Sequence, residues 1–347
     1  GGWVIKYLIE YFAGHSKTLA GDAYFTTFIS NGWSTEICFI IFTLFTLGII
    51  YAGVRNGIER VSKFMMPILI VLSLIIAVYS VTRPGAIEGV KYFLVPNFDH
   101  FSWMTVVSAM GQMFYSLSIA MGILITFGSY MKKDTSIEKS TENVEIFDTA
   151  IAIMAGLMII PAVFAFSGGN AETLKSGPAL MFITIPKVFA NMGFGTAIGV
   201  VFFLLVLFAA VTSSIALTES AVSTFEDELH WSRKKSTVFM GMVMLLLGTL
   251  SCLGYGPLAN FKILGMQFLD FFDFITNSVM MPIAAIATCL LVSKVVGVDK
   301  IEEEIKKDGQ AFRRKKIFCF MIKYLCPLFA AIILISSVAN AFGIITM

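Results

Sequence analysis

Apolar runs of about eighteen or more residues recur along this chain, and nothing else constrains its fold as tightly. Each is long enough to cross ~30 Å of bilayer hydrocarbon. Backbone amides and carbonyls in lipid must be satisfied within the spanning structure, so only helices or closed barrels qualify. Barrel strands would read as segments of about ten residues with alternating polarity. The runs here are longer and do not alternate, so the predicted fold class is an all-α polytopic membrane protein. Of the 347 residues, 57% are hydrophobic and 14% charged, against about 25% charged in soluble domains.

The predicted spans are 3–13 (half length), 36–54, 62–82, 104–130, 145–167, 194–219, 237–255, 268–296 and 317–343. A shorter amphipathic piece near 178–191 contains Pro186 and reads as a loop helix. Lys and Arg divide unequally between alternate loops. Seventeen fall in the set that includes Arg55, Arg60, Lys132, Arg233 and the loop 297–316, and six fall in the other. Cytoplasmic loops carry the excess of basic residues, which assigns the larger set to the cytoplasm. The cytoplasmic loop 297–316 carries mixed charge and is expected to form a surface helix. The external loops 83–103 and 168–193 are long and rich in Gly, Pro and aromatics. Residues 1–347 read as one membrane domain with no soluble part. The chain opens at Gly1 inside an apolar stretch without a charged leader, so it does not read as a signal peptide. A helix cut in its middle is expected there.

Motifs of common enzyme classes are absent: HExxH, a P-loop, GxSxG and GxGxxG do not occur. His15, His100 and His230 fall in different loops, which argues against a shared metal. The five cysteines lie in or beside apolar runs without CxxC spacing, as small buried hydrophobes do. No basic tract points to nucleic acid.

Two polar clusters interrupt the apolar runs. Ala209-Ala210-Val211-Thr212-Ser213-Ser214 places three consecutive hydroxyls inside a span. They can bond back to carbonyls one turn earlier or bridge helices, or they can hold a hard cation, for which oxygen ligands are suited. Na⁺ is the natural candidate. The second cluster, Gly111 to Gly122 (GQMFYSLSIAMG), puts glycines around a polar and aromatic centre. Glycine in a helix interior costs ~1 kcal/mol relative to alanine. The cluster is either a helix broken at mid-membrane, as in transporters that use such breaks to bind ions and substrates, or a continuous helix packed through small residues. Acidic groups are the third feature. Asp148 opens the run DTAIAIMAGLMII and is either functional or a snorkelling end residue. Asp270 and Asp273, in FLDFFDF, lie near an external helix start, where a carboxylate complements the helix dipole.

Together these segments resemble the neurotransmitter:sodium symporter family, particularly its bacterial amino-acid transporters. The resemblance rests on GGWVIKYL, RNGIERVSKFMMP, GQMFYSLSIAMG, IIPAVFAF, FITIPKVF, AAVTSSIAL followed by FEDELHWSRKKS, and LDFFDF. It spans essentially the whole chain. It implies a fold of two inverted five-helix repeats, here lacking the first two and a half helices. It also implies that Ala209, Thr212 and Ser213 contribute to one sodium site and Ser116 to another. By the same resemblance, Phe114, Tyr115, Ser118, Met121, Ser214 and Leu217 line the substrate pocket, and Asp273 is the external gate carboxylate. Gln112 and Asp148 match the level at which animal members bind chloride. A carboxylate there is similar to the chloride-independent bacterial members.

The reading is a sodium-coupled symporter of an amino acid, bulky apolar or aromatic, working by alternating access in the plasma membrane. It needs no cofactor beyond Na⁺ as coupling ion; its partners are substrate, sodium and lipid. The alternatives are a symporter of another small zwitterion and a truncated remnant that does not transport. A homodimer is among the oligomeric states left open. Residues 1–347 alone are expected not to transport, since the resemblance implies that missing helices supply ligands to both sodium sites.

Overall fold

The computed structural model describes residues 1–170, 174, 177–307 and 312–343. Among them regular structure is helical, apart from a single bridge between Ile263 and Met266. Lys175, counted above in the external loop 168–193, lies outside the described residues, as do positions 308–311 of the loop 297–316.

In chain order the helices begin with α1 (Gly2–Phe12), the short α2 (Ser16–Leu19) and α3 (Tyr24–Ser30), α4 (Gly32–Tyr51), α5 (Arg60–Val81) and α6 (Ala86–Leu94). The middle of the chain forms α7 (Trp103–Ser116), α8 (Ile123–Ser129), α9 (Ile137–Ser167), α10 (Ile185–Ala190), α11 (Gly195–Leu229) and α12 (Arg233–Leu253). The remainder forms α13 (Phe268–Asp273), α14 (Met281–Leu290), α15 (Val298–Lys306), α16 (Lys315–Phe320) and α17 (Cys326–Ala341). Wider π-type turns join several of them into longer runs. Among the described residues, seven continuous helical runs are long and apolar enough to span a bilayer: Gly32–Tyr51, Val54–Val81, Ile137–Ser167, Gly195–Leu229, Arg233–Leu253, Phe268–Val296 and Lys315–Ala341. Many of their large apolar side chains, such as Phe64, Leu246 and Ile335, are exposed, as lipid-facing residues must be.

These runs correct several predicted boundaries. The helix expected at 145–167 starts at Ile137, and the one expected at 194–219 continues to Leu229. Both extensions are polar turns that hydropathy alone reads as loop. The second ends only where His230 adopts a left-handed conformation (φ 52°). The run expected at 104–130 is two helices, α7 and α8. The loop helix predicted near 178–191 is present as Leu180–Ala190. The surface helix predicted in loop 297–316 is present over α15.

The chain divides into two compact units. One holds Gly1–Asn97 and Ala150–Leu269; the other holds Phe98–Thr149 and Asp270–Met347. In the first, α1 is enclosed. Tyr7 and Tyr11 are buried and stack on Phe203 of α11, with ring centroids 5.2 and 5.4 Å apart. The Tyr7 hydroxyl donates to the Phe182 carbonyl at 2.7 Å. Lipid supplies no hydrophobic drive between helices, so close approach at small residues holds them together. Gly248 of α12 illustrates it: a Cβ there would lie 2.1 Å from the Phe39 ring of α4. Nearby, Thr249 donates to Glu36 Oε1 at 2.5 Å.

The cytoplasmic end of this unit, as the basic-residue bias assigns it, is fastened by charge. Glu219 on α11 is fully buried. Its carboxylate accepts from Arg233 Nη1 at 3.0 Å and Nη2 at 2.6 Å. The same guanidinium donates from Nε to the Ile50 carbonyl at 3.0 Å and reaches Glu226 at 3.4 Å. One arginine thus ties the ends of α4, α11 and α12.

In the second unit α14 packs against α17. Arg314 lies 3.4 Å from Glu142 and 3.6 Å from Glu145 on the polar extension of α9. Lys306 and Lys315 pair with Glu302, and together they hold its carboxyl below the usual carboxylate range.

Candidate functional site

The candidate residues fall on both units, and each set has its own geometry. In the second unit the GQMFYSLSIAMG segment is a true break. Helix α7 is started by a reciprocal cap: Ser102 Oγ accepts from the Thr105 amide at 3.3 Å, and Thr105 Oγ1 accepts from the Ser102 amide at 3.2 Å. It runs through Gly111 and stops at Ser116. Helix α8 resumes at Ile123. Between them Ser118 (φ 54°), Ala120 (φ 63°) and Gly122 (φ 77°) alternate in the left-handed region. Glycine occupies that region freely, whereas an L side chain there costs of order 1–3 kcal/mol. Such strain persists only where the surroundings over-determine it, and it concentrates at functional sites.

The break also changes where polar backbone points. The last turn of a helix leaves carbonyls without intrahelical partners and carries partial negative charge. Here the Leu117, Ser118 and Ile119 amides return to Met113, Tyr115 and Phe114 at 3.1, 3.0 and 3.2 Å, closing part of that end. Phe114, Ser118, Ala120 and Gly122 line an apolar cavity of about 330 Å³, with Cys289 of α14 and Phe329 of α17 opposite. Tyr115 and Gln112 are exposed on α7, and Met121 is half-buried.

Ser116, the last residue of α7, donates to Asp148 Oδ1 at 2.6 Å. Asp148 is half-buried and sits in the interior of α9, three turns from its start at Ile137. The carboxylate therefore stands where the polar start of α9 gives way to its apolar run, and it is hydrogen-bonded to the break. Gln112 lies one turn before Ser116 on the same helix, a spacing that puts both on one face. Asp273 ends α13 and is exposed; its Oδ1 accepts from Asn277 Nδ2 at 2.6 Å. Asp270 occupies the first turn of α13, the dipole-complementing position expected for it.

In the first unit the hydroxyl cluster lies midway along α11. Thr212 Oγ1 donates to the Phe208 and Ala209 carbonyls, both at 3.0 Å, which is the back-bonding anticipated for hydroxyls in a membrane helix. Its lone pairs stay available for a cation. Ser213 and Leu217, one turn apart, are exposed on a common face. Ser214 turns the other way and accepts from Thr46 Oγ1 of α4 at 3.2 Å. Three groups escaped the sequence reading: Thr46, Glu219 and Arg233. Glu219 stood at the predicted end of its span, and only the continuation of α11 to Leu229 puts it on a buried face. Among the described residues no group of three or more His, Cys, Asp or Glu forms a metal cage.

Comparison with known proteins agrees over nearly the whole chain. The model of the sodium:neurotransmitter symporter family matches residues 5–344. An uncharacterized sodium-dependent transporter of Bacillus subtilis, YhdH, is 32% identical over 100% of this chain and 76% of its own length. A Haemophilus influenzae sodium-dependent transporter is 29% identical over 97% of this chain and 74% of its own. Among solved structures, that of MhsT in complex with L-phenylalanine superposes with a TM-score of 0.83 at 32% identity, covering 97% of this chain and 76% of that one.

Proposed function

The chain belongs to the sodium:neurotransmitter symporter family, and from that premise we propose that this multi-pass, sodium-dependent transporter carries a bulky apolar or aromatic L-amino acid by alternating access. The observation that carries the reading is the strained break between α7 and α8. An unwound segment at mid-membrane offers backbone polarity to a zwitterion where a closed helix offers none. The MhsT structure holds L-phenylalanine, which supports an amino-acid substrate for a chain of this fold.

Within this proposal the Ala209 carbonyl and the Thr212 and Ser213 hydroxyls are ligands of one Na⁺, and Ser116 of another. Phe114, Tyr115, Ser118 and Met121 of the second unit, and Ser214 and Leu217 of the first, are the residues assigned to the substrate. Tyr115 offers an aromatic face and Met121 a thioether that adapts to irregular shapes. None of these six can pair a charged substrate side chain. Na⁺ acts by stabilising the substrate-competent state, a linkage that needs no covalent chemistry. Two cations and a zwitterion place positive charge in a low-dielectric site, where a fixed anion offsets it. Asp148 supplies that anion, with Gln112 beside it, in place of chloride. Asp273 closes the external side.

The test is uptake of labelled leucine or tryptophan by the intact protein in proteoliposomes, competed by each of the twenty amino acids. Strongest competition by bulky apolar and aromatic residues is expected. Preference for glycine, lysine or glutamate would overturn the substrate assignment, and betaine-like competitors alone would point to another zwitterion.

A further inference from the structure

We propose that the cytoplasmic end of the α14–α17 pair is a contact surface for the headgroups of anionic phospholipids. Between Lys294 and Lys316 the described residues carry eight basic side chains against four acidic ones. The acidic groups there are largely committed. Glu302 takes Lys306 and Lys315, Glu304 takes Lys307, and Asp299 lies 3.8 Å from Lys315. Arg314 is already held by Glu142 and Glu145 of α9. Lys294, Lys300, Arg313 and Lys316 are exposed and form no ion pair among the described residues. Among the described residues of this segment, only exposed Glu303 opposes them without an ion pair of its own.

Depth decides what these four cations meet. The apolar run Phe268–Val296 ends two residues after Lys294, and the run Lys315–Ala341 begins one residue before Lys316. The exposed apolar residues Val295, Ile317 and Phe320 adjoin them, so acyl chains flank the cluster on its membrane side. Helix α15 buries Val298 and Ile305 and turns Lys300 outward. Phe312 and Phe318 meet with ring centroids 5.6 Å apart at the mouth of the second run. The cations therefore sit at headgroup level rather than in bulk water. A lysine or arginine near an anionic leaflet contributes attraction of order fivefold in binding, falling off within a Debye length. A lipid phosphate is the anion whose position is fixed at this depth. The inference concerns the membrane face and stands apart from the substrate assignment.

The experiment compares short-chain phosphatidylglycerol with short-chain phosphatidylcholine, added to the intact protein in neutral detergent and read by thermal shift and native mass spectrometry. Phosphatidylglycerol is expected to bind at least tenfold more tightly. The variant carrying Lys294→Gln, Lys300→Gln, Arg313→Gln and Lys316→Gln should lose most of that preference while keeping its melting temperature in phosphatidylcholine, because no ion pair is broken. Lys17→Gln, on the opposite side, should leave the preference intact. Equal binding of the two lipids, or a preference that survives the fourfold change, would overturn the proposal. So would inorganic phosphate competing at equal concentration, which would indicate a free-anion site, or an acidic peptide binding more tightly than the lipid, which would indicate a protein partner.

Discussion

Removing the Arg233 guanidinium isolates the energetic role of a single buried charge. Glu219 is 0% exposed and Arg233 21% exposed, and the pair is bidentate, with contacts of 3.0 and 2.6 Å. Arg233→Met keeps much of the apolar stem but takes both guanidinium hydrogen bonds from the buried carboxylate. Breaking a buried pair from one side costs about 3–5 kcal/mol. For a folded unit of roughly two hundred residues, each kcal/mol moves Tm by about 2–4 °C, so a fall of about 6–20 °C is expected. Arg233→Met combined with Glu219→Leu removes both charges. Apolar replacement of a whole buried pair is often neutral or stabilising, so the double variant should recover most of the loss. The assay is thermal unfolding of the detergent-solubilised intact protein, followed by size-exclusion fluorescence across the full double-mutant cycle. A double variant that melts as low as Arg233→Met alone would refute the argument. The cost would then lie in the lost bond to the Ile50 carbonyl or in packing, not in the lost charge pairing of Glu219.

Changing Thr212 and Ser213 together to alanine should move the Na⁺ concentration for half-maximal substrate binding upward at least tenfold; an unchanged titration in scintillation-proximity binding would remove them from the sodium site. Wild-type uptake should persist when chloride is replaced by gluconate, and Asp148→Ser should be inactive or chloride-dependent; chloride-dependent wild-type uptake would contradict the role given to Asp148. Ala120→Gly should leave Tm unchanged or raise it by a few degrees, since it relieves a left-handed L-residue. Ala120→Val should lower it, because a β-branched residue at positive φ is a marked outlier. A valine variant as stable as the parent would show that residue 120 is not left-handed in solution.

The spans were legible because hydropathy reports lipid exposure directly, and the break was legible because Gly111 and Gly122 bracket a polar stretch. Its position was not. Gly111 lies inside α7, and the chain turns at Ser118 and Ala120, residues with no intrinsic left-handed preference. Tertiary context, not propensity, sets that turn. The start of α9 was missed because IEKSTENVE reads as loop, whereas it is a water-facing helix whose Glu142 and Glu145 meet Arg314. The Glu219–Arg233 pair was invisible for another reason. Its members are 14 residues apart on either side of a helix reversal, and no periodicity within one element connects them. Ser214 and Thr46 meet across 168 positions, a distance at which a single sequence carries no signal.

The alternating left-handed residues at 118, 120 and 122 also bear on how such a protein can diversify. At those positions a single exchange between glycine and a larger residue alters two properties at once: the room left in the cavity they line and the stiffness of the bend itself. Under the proposed function, with substrate at the break, selectivity and turnover are then not independent traits. A lineage that widens the cavity by placing glycine at 118 or 120 obtains a looser joint with it, and one that stiffens the joint narrows the cavity. Substrate range in proteins built this way should drift along that line, with large-substrate, pliant variants at one end and small-substrate, rigid ones at the other.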